Sequence, residues 1–121
     1  DVTGFGLAGH ALELARGAKL KMQVTLDRFR LLPGVLELAA AGVVTGASGR
    51  NWASYGGEVS LPAGISAAQQ ALLSDPQTSG GLLVSCAPEC EADVLACFRR
   101  GGFLEAATIG RMLEGSGLEV V

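Results

Sequence analysis

A glycine-rich turn that runs directly into a helix constrains this chain more than any other segment. The first 15 residues read DVTGFGLAGHALELA, and Gly4, Gly6 and Gly9 match the pattern G-x-G-x-x-G. The spacing predicts a helix over Gly6–Arg16 that stops at Gly17. Apolar residues follow one another on one face of this helix: Leu7, Ala11, Leu14 and Ala15. Such a turn aims backbone N–H groups and the positive end of the helix dipole outward, which predicts an anion-binding site.

A dinucleotide-binding fold is one interpretation of this pattern. Residues Lys19–Leu26 alternate polar and apolar side chains, which predicts a half-buried strand, and Asp27 follows at the position of a ribose-binding acid. Two observations oppose this interpretation. Only Asp1–Thr3 precede the first glycine, where the fold needs a buried strand, and the end of the chain resembles a hairpin. Because the glycine spacing alone is weak evidence, this interpretation is not favoured.

A second interpretation keeps the anion and adds a metal ion. The carboxylate of Asp1 would repel bound phosphates unless a cation lay between them. This favours Mg²⁺, which proteins hold with one or two carboxylates together with phosphate oxygens. In the alternative, Asp1 only complements the helix dipole and Thr3 is the N-cap of the helix. The spacing does not decide between these two.

The remaining segments predict an α/β (α+β) sandwich in which helices flank a mixed β-sheet. Helices are predicted over three ranges: Pro33–Ala41, Ser66–Leu73 (with Ser66 as N-cap) and Pro88–Arg100. Strands are predicted over three more: Leu82–Cys86, Ala106–Leu113 and Leu118–Val121. The first of these strands is apolar on both faces, so we expect it at the centre of the sheet. The last two are expected to form a hairpin, and the glycine- and serine-rich residues 45–64 a long loop.

Composition limits the class of protein. The 121 residues are sufficient for one domain with a core, and 49% of them are hydrophobic against 17% charged. Nine Lys and Arg stand against twelve Asp and Glu, with no basic stripe, so we expect neither a nucleic-acid nor a membrane partner. No signal peptide is recognised, and the start without Met suggests a piece of a longer protein.

Three cysteines are predicted to be partly buried, reduced side chains: Cys86, Cys90 and Cys97. Their odd number argues against a disulfide framework, and the absence of a second Cys/His cluster argues against zinc. A reducing cytoplasm is the environment in which such thiols persist.

Two segments in order resemble one enzyme family. DVTGFGLAGHALELA (residues 1–15) and SDPQTSGGLLVS (residues 74–85) resemble signatures of selenophosphate synthetase (selenide, water dikinase). Between them, LLPGVLELAAAGVVTG followed by Arg50-Asn51 is also similar to that family. The similarity runs over essentially the whole chain and corresponds to the C-terminal half of a two-domain enzyme of the aminoimidazole ribonucleotide synthetase superfamily. It implies that residues 1–121 form a single domain, an α/β sandwich with partial likeness to a ferredoxin-like fold.

The resemblance implies an ATP-dependent cytoplasmic enzyme that converts selenide, ATP and water to selenophosphate, AMP and orthophosphate with Mg²⁺. It also implies a homodimer formed mainly by N-terminal domains, with the nucleotide between the two domains of each subunit. The reactive Cys or selenocysteine of the family lies in the N-terminal half, so this chain holds no catalytic residue and is expected to be inactive alone. The alternatives are another superfamily enzyme, such as a thiamine-monophosphate kinase or a hydrogenase-maturation protein, and a non-catalytic interaction domain.

Individual site residues follow from the matched motifs. Asp1 matches the family aspartate that helps to hold Mg²⁺. The resemblance and the anion-site argument together predict the nucleotide-binding positions: Thr3, Gly4, Gly6, Arg50, Asn51, Thr78, Ser79 and Gly80. In the alternative, the glycines at 80 and 81 only admit the chain to a crowded strand.

Four further residues keep open roles. His10 is either a histidine hydrogen-bonded to a neighbour at a surface or an active-site group, and Asp75 either builds a turn or contacts metal or nucleotide. Trp52 and Tyr55 lie in the predicted loop and receive no role, although a surface aromatic there would suit a face that meets another domain.

Overall fold

The computed structural model describes residues 1–121 and contains five α-helices and one four-stranded sheet. The helices are α1 Gly6–Ala18, α2 Val35–Ala40, α3 Gly46–Tyr55, α4 Ala67–Ser74 and α5 Glu91–Arg100. The strands are β1 Lys21–Val24, β2 Val59–Ser60, β3 Gly110–Leu113 and β4 Leu118–Val120. The predicted α+β class with a mixed sheet is confirmed. None of the helices combines the length and the apolarity needed to span a membrane.

The sheet has the order β2-β4-β1-β3, so β1 lies between the last two strands of the chain. Met22 of β1 pairs with Met112 in the antiparallel neighbour β3 and with Leu118 in the parallel neighbour β4. The predicted hairpin between the last two strands is therefore wrong. Central placement leaves Met22 only 5% and Val24 only 1% exposed, so burial of these side chains favours the inserted strand over local pairing.

The core lies between α1 and the sheet. The buried face of α1 consists of Ala8, Ala11, Leu12 and Ala15. The predicted apolar face is wrong in part, because Leu14 is 36% exposed whereas Leu12 is fully buried. The helix also runs one residue past Gly17 and ends at Ala18, and its C-cap Lys19 adopts a left-handed backbone conformation. Consequently β1 begins only at Lys21, later than predicted.

The predicted loop over residues 45–64 is wrong, because α3 occupies its first half. The hydroxyl of Thr45 accepts a hydrogen bond from the Ser48 N–H (3.1 Å) and caps this helix. Ser48 and Tyr55 are buried on its inner face, so Tyr55 and Trp52 are helical residues. Packing of that face against α1 and α4 overrides the weak helix propensity of its glycines.

The predicted central strand Leu82–Cys86 is also wrong. These residues pair with no strand, and the side chains of Leu82 and Val84 are 66% and 49% exposed. They border an apolar groove of about 550 Å³ between α5 and the face of the sheet. A run of apolar residues is a local property of the sequence. Strand pairing depends on partners that are distant in the sequence, so such a run alone does not predict it.

The three cysteines lie in the region around α5, and the prediction that they are partly buried is wrong. Cys86, Cys90 and Cys97 are all free and exposed. Helix α5 contributes no fully buried side chain, because it faces the open groove.

Candidate functional site

The two motif segments, residues 1–6 and 74–81, lie directly against each other. The Val2 N–H donates to the Gly81 carbonyl oxygen (2.9 Å), and the Gln77 N–H donates to the Thr3 carbonyl oxygen (3.0 Å). Val2 is 7% exposed, while Asp1 and Thr3 are exposed on either side of it. Two segments far apart in the sequence thus form one surface.

Two glycines explain how the backbones approach so closely. A Cβ atom on Gly6 would lie 2.7 Å from the carbonyl carbon of Ser74, and the φ of Gly6 is +70°. A Cβ atom on Gly80 would overlap the carbonyl oxygen of Val2. Gly4 differs, since it is exposed and a Cβ atom there would meet nothing within 4 Å. Gly6 and Gly80 are therefore packing residues, and their contact with a nucleotide stays a prediction.

The turn before α1 leaves backbone donors free. The N-cap of α1 is Phe5, which makes no side-chain cap bond, so the alternative in which Thr3 caps the helix is wrong. The Gly6 N–H already donates to the Thr3 carbonyl oxygen (3.1 Å), whereas the N–H groups of Gly4 and Phe5 have no acceptor within the protein. These donors lie at the positive end of α1 and suit an anion.

Asn51 joins the two motifs through its side-chain amide. Its Nδ2 donates to the carbonyl oxygens of Gly4 (2.8 Å) and Ser74 (3.0 Å). Helix α3 positions this amide, and the neighbouring Arg50 is exposed, with its guanidinium over Gly46 and no hydrogen bond or ion pair. The structure thus gives Asn51 a bracing role, while nucleotide binding by Asn51 and Arg50 stays a prediction.

Tyr55 contacts the same turn from the interior of the protein. Its hydroxyl donates to the carbonyl oxygen of Phe5, the N-cap residue of α1. Burial raises the pKa of this phenol above its ordinary value, and the Gly9 N–H partly offsets the effect. The sequence gives no signal for this role, because the Phe5 partner lies 50 residues away from Tyr55.

His10 lies between two polar side chains. Its Nε2 is 3.1 Å from the Thr3 hydroxyl, and its Nδ1 is 2.8 Å from a Glu13 carboxylate oxygen. The Phe5 ring packs at 5.7 Å between centroids. The structure therefore shows His10 hydrogen-bonded to its neighbours beside the exposed turn.

The second motif begins where α4 ends. Helix α4 starts at the predicted N-cap Ser66, whose side chain forms a capping box with Gln69. At the other end, the Asp75 carboxylate accepts a hydrogen bond from the Thr45 hydroxyl (3.2 Å), and its carbonyl oxygen accepts from the Gln77 side-chain amide (3.0 Å). Asp75 thus builds the turn, which is one of the two roles expected for it.

Two buried hydroxyls join α3 to α4 close to this turn. They are not identified in the sequence analysis. Ser48 donates to the Ala71 carbonyl oxygen (2.7 Å) and lies 2.8 Å from the Ser74 hydroxyl. Both serines are almost fully buried. The only available signal is Thr45-x-x-Ser48, which fits a helix start and is obscured by the surrounding glycines.

Thr78 and Ser79 are exposed on the second turn, and their hydroxyls make no hydrogen bond within the protein. Asp1 offers a carboxylate on the same surface, and oxygen ligands of this type suit Mg²⁺. The chain nowhere brings together three His, Cys, Asp or Glu side chains that could hold a metal. The residues present therefore fit one part of a Mg²⁺ site.

The dinucleotide interpretation finds no support in this geometry. Residues 1–3, which directly precede the first glycine, belong to no strand. Asp27 lies in a 3₁₀ turn, Leu26–Arg28, after β1.

Fold and surface together define an α+β domain with a glycine-rich turn that presents free N–H groups beside a carboxylate. The family described as "AIR synthase related protein, C-terminal domain" matches residues 1–121. The chain belongs to this family.

Several curated relatives carry the name "Selenide, water dikinase". The protein from Burkholderia pseudomallei is 63% identical over 116 residues, which cover 96% of this chain and 33% of that protein. The protein from Pseudomonas straminea is 59% identical over 116 residues, with 96% and 32% covered. The Rhizobium meliloti protein is 47% identical over 116 residues, with 96% and 33% covered. This chain spans about a third of the length of these relatives.

Proposed function

We propose that this chain is the C-terminal domain of a selenide, water dikinase. Relatives from three bacterial genera, at 47% to 63% identity, carry that name and match along nearly the whole chain. In this proposal residues 1–121 are one domain of a two-domain enzyme, and the N-terminal domain of the same polypeptide is its partner. The full-length protein is a homodimer in the cytoplasm.

The proposed enzyme converts selenide, ATP and water to selenophosphate, AMP and orthophosphate, and Mg²⁺ supplies charge neutralisation on the phosphates. This domain completes the Mg-ATP site. Asp1 is a Mg²⁺ ligand, and the free N–H groups of Gly4 and Phe5 face phosphate oxygens. The observation that carries the proposal is the direct pairing of the two motifs through Val2–Gly81 and Thr3–Gln77.

The other predicted residues take supporting parts in this proposal. Gly6 and Gly80 permit the close contact of the two turns, and Asn51 braces them. The unpaired guanidinium of Arg50 and the free hydroxyls of Thr78 and Ser79 are available to phosphate oxygens. Since this chain holds no nucleophile for selenide chemistry in the proposed scheme, we expect it to be inactive alone.

The test compares the full-length polypeptide with its Asp1→Asn variant and follows products by ³¹P NMR. We expect selenophosphate, AMP and orthophosphate from wild type with selenide, ATP and Mg²⁺. Loss of a metal ligand in Asp1→Asn should lower kcat by about 100-fold, because a bound metal stabilises developing charge by several kcal/mol. Asp27→Asn is the matched control, since it makes the same change at an exposed aspartate outside the site.

Two outcomes would contradict the proposal. A full-length protein that forms no AMP in the presence of selenide is not this enzyme. Selenide-dependent AMP formation by the 121-residue chain alone would show that the domain does not depend on a partner.

A further inference from the structure

Large apolar side chains are exposed close together in one short segment, residues 31–44. Their exposed fractions lie between 41% and 76%, and they are Leu31, Leu32, Leu36, Leu38, Val43 and Val44. Within this segment Ala39 is the only buried residue and Glu37 the only charged one. We call the surface of residues 31–44 the α2 patch.

The α2 patch is one compact surface. Helix α2 lies at its centre and packs against α4. Before the helix, the Val35 N–H donates to the Leu32 carbonyl oxygen (3.2 Å), and after it the Val43 N–H donates to the Leu38 carbonyl oxygen (2.9 Å). These bonds fold both flanks of the segment onto the helix. Contiguous exposed apolar surface of this kind is typical of a site that contacts another protein surface.

The patch is linked to both motifs of the candidate site. Thr45 directly follows the patch, caps α3 and donates its hydroxyl proton to the Asp75 carboxylate (3.2 Å). Helix α3 also carries Asn51, whose amide donates to the carbonyl oxygens of Gly4 and Ser74. A domain that covers the patch would therefore be fixed, through α3, relative to the turns proposed to bind phosphate and Mg²⁺.

The exposed apolar residues of the 82–105 region are less suited to a dry interface. That region holds six charged residues, whereas the α2 patch holds one: Glu89, Glu91, Asp93, Arg99, Arg100 and Glu105 in the former, Glu37 in the latter. Glu91 borders the groove between α5 and the sheet and accepts a hydrogen bond from Thr108 (2.6 Å). Because the cores of protein interfaces are depleted in charged side chains, the α2 patch is the better docking surface.

The length of the relatives indicates what covers the patch. This chain spans about a third of those proteins and belongs to a family described as a C-terminal domain, so about two thirds of each relative precedes the matched region. That length is sufficient for another domain. A domain joined to this one in the same chain is present at an effective concentration on the order of millimolar, which favours it over a second copy.

We propose that the α2 patch docks on the N-terminal domain of the same polypeptide, against an apolar and uncharged face of that domain. This inference rests on the proposed function, which supplies the N-terminal domain as the partner. It adds the surface of contact and the chemistry of the face that the patch meets.

Hydroxyl-radical footprinting of the full-length polypeptide tests this docking, because the radical modifies aliphatic side chains that solvent reaches. Leu32 and Leu104 form a matched pair, since they are 76% and 74% exposed in this domain. We expect Leu32 to be modified at least about 3-fold more slowly than Leu104, because the core of an interface is closed to solvent. Equal rates, or slower modification of Leu104, would overturn the inference.

Dilution distinguishes a domain of the same chain from a second copy. The slow modification of Leu32 should persist when the protein is diluted by about 100-fold, because a tethered partner keeps its effective concentration. If Leu32 became as reactive as Leu104 on dilution, the patch would be a contact between separate molecules, and the inference would be wrong.

A charge placed in the patch gives a second readout. Leu32 is exposed in this domain, so Leu32→Glu should leave the domain folded while its carboxylate opposes burial in an apolar interface. We expect the modification rate of Val43 in the full-length polypeptide to rise by about 3-fold or more. Leu104→Glu is the control and should leave the Val43 rate unchanged. An unchanged Val43 rate in Leu32→Glu would contradict the docking.

Product formation separates this inference from the proposed function. If the full-length protein forms AMP with selenide while Leu32 and Leu104 react equally, the docking surface is wrong and the proposed function stands. If Leu32 is protected and no AMP forms, the proposed reaction is wrong and the docking stands.

Discussion

The junction between residues 1–6 and 74–81 and the region from 82 to 105 are built in opposite ways. At the junction, backbone hydrogen bonds and the amide of Asn51 join the two segments, and Gly6 and Gly80 let them touch. Not one of residues 82–105 is fully buried, and large apolar side chains there meet solvent: Leu82, Val84, Phe103 and Leu104.

Comparison of these regions shows that different glycines of one motif can have different roles. Some permit close packing, and others leave room for a ligand. Gly6 and Gly80 are required where two backbones meet, and no ligand is needed to explain them. Gly4 lies in open space beside free N–H groups, so packing does not explain it. In the 82–105 region, by contrast, apolar residues in a pattern typical of a core lie at the surface.

The largest expected effect is at Gly6. Gly6→Ala places a methyl group 2.7 Å from the Ser74 carbonyl carbon at a φ of +70°, so both overpacking and backbone strain oppose folding. We expect the free energy of unfolding to fall by about 3 kcal/mol. Urea denaturation of the 121-residue chain measures this change.

Gly17→Ala is the matched control within the same helix, because nothing lies within 4 Å of the added methyl group. It should leave stability unchanged or raise it by up to about 1 kcal/mol. If the two variants were equally destabilised, the close contact between the motifs would not explain the need for glycine at position 6.

The second effect is at Tyr55. Tyr55→Phe removes the hydroxyl that donates to the Phe5 carbonyl oxygen in a largely buried place, and should cost about 1.5 kcal/mol. The folded state raises the pKa of this phenol, mainly through burial. The associated stability is therefore present below the ordinary value of 10.0 and is lost as pH rises through the raised folded-state pKa.

Thermal unfolding between pH 8 and about 11.5 tests this dependence, since it spans the ordinary tyrosine range. We expect wild-type stability to decline above about pH 10, and Tyr55→Phe to lack that component of the decline. Because this chain contains one tyrosine, an identical decline in both proteins would assign it to other groups.

Local signals in the sequence are sufficient to predict part of the fold. The structure confirms three of these predictions: the Ser66 N-cap, the helix that follows the glycine turn and the α+β class. The features that the sequence does not predict depend on distant partners. The placement of β1 between β3 and β4 and the partners of Tyr55 arise from packing between segments far apart in the chain.

The candidate site shows the same limit. The motifs predict which two segments matter, and the structure brings both to one surface. The bracing role of Asn51 and the buried pair Ser48–Ser74 are not predictable, because the local pattern favours a loop where α3 lies. Glycine and serine content lowers the local helix signal, and only tertiary contacts restore it.

A third, smaller effect is expected at Asn51. Asn51→Ala removes two hydrogen bonds, to the carbonyl oxygens of Gly4 and Ser74, and should cost about 1 kcal/mol since water reaches part of this site. Arg50→Ala, at the preceding residue on the exposed face, should change stability by less than about 0.5 kcal/mol. Urea denaturation compares the two, and a larger cost for Arg50→Ala would contradict the brace.

The smallest effect is expected where the apolar pattern is strongest. Val84 would be buried in a central strand, but it is 49% exposed and paired with no strand. Val84→Thr keeps the shape and should change the free energy of unfolding by less than about 0.5 kcal/mol. Val24→Thr, the same change at a side chain only 1% exposed in β1, should cost about 1–3 kcal/mol because it buries a hydroxyl. Similar costs at the two positions would show that Val84 is buried in solution, and the contrast between the two regions would then be wrong.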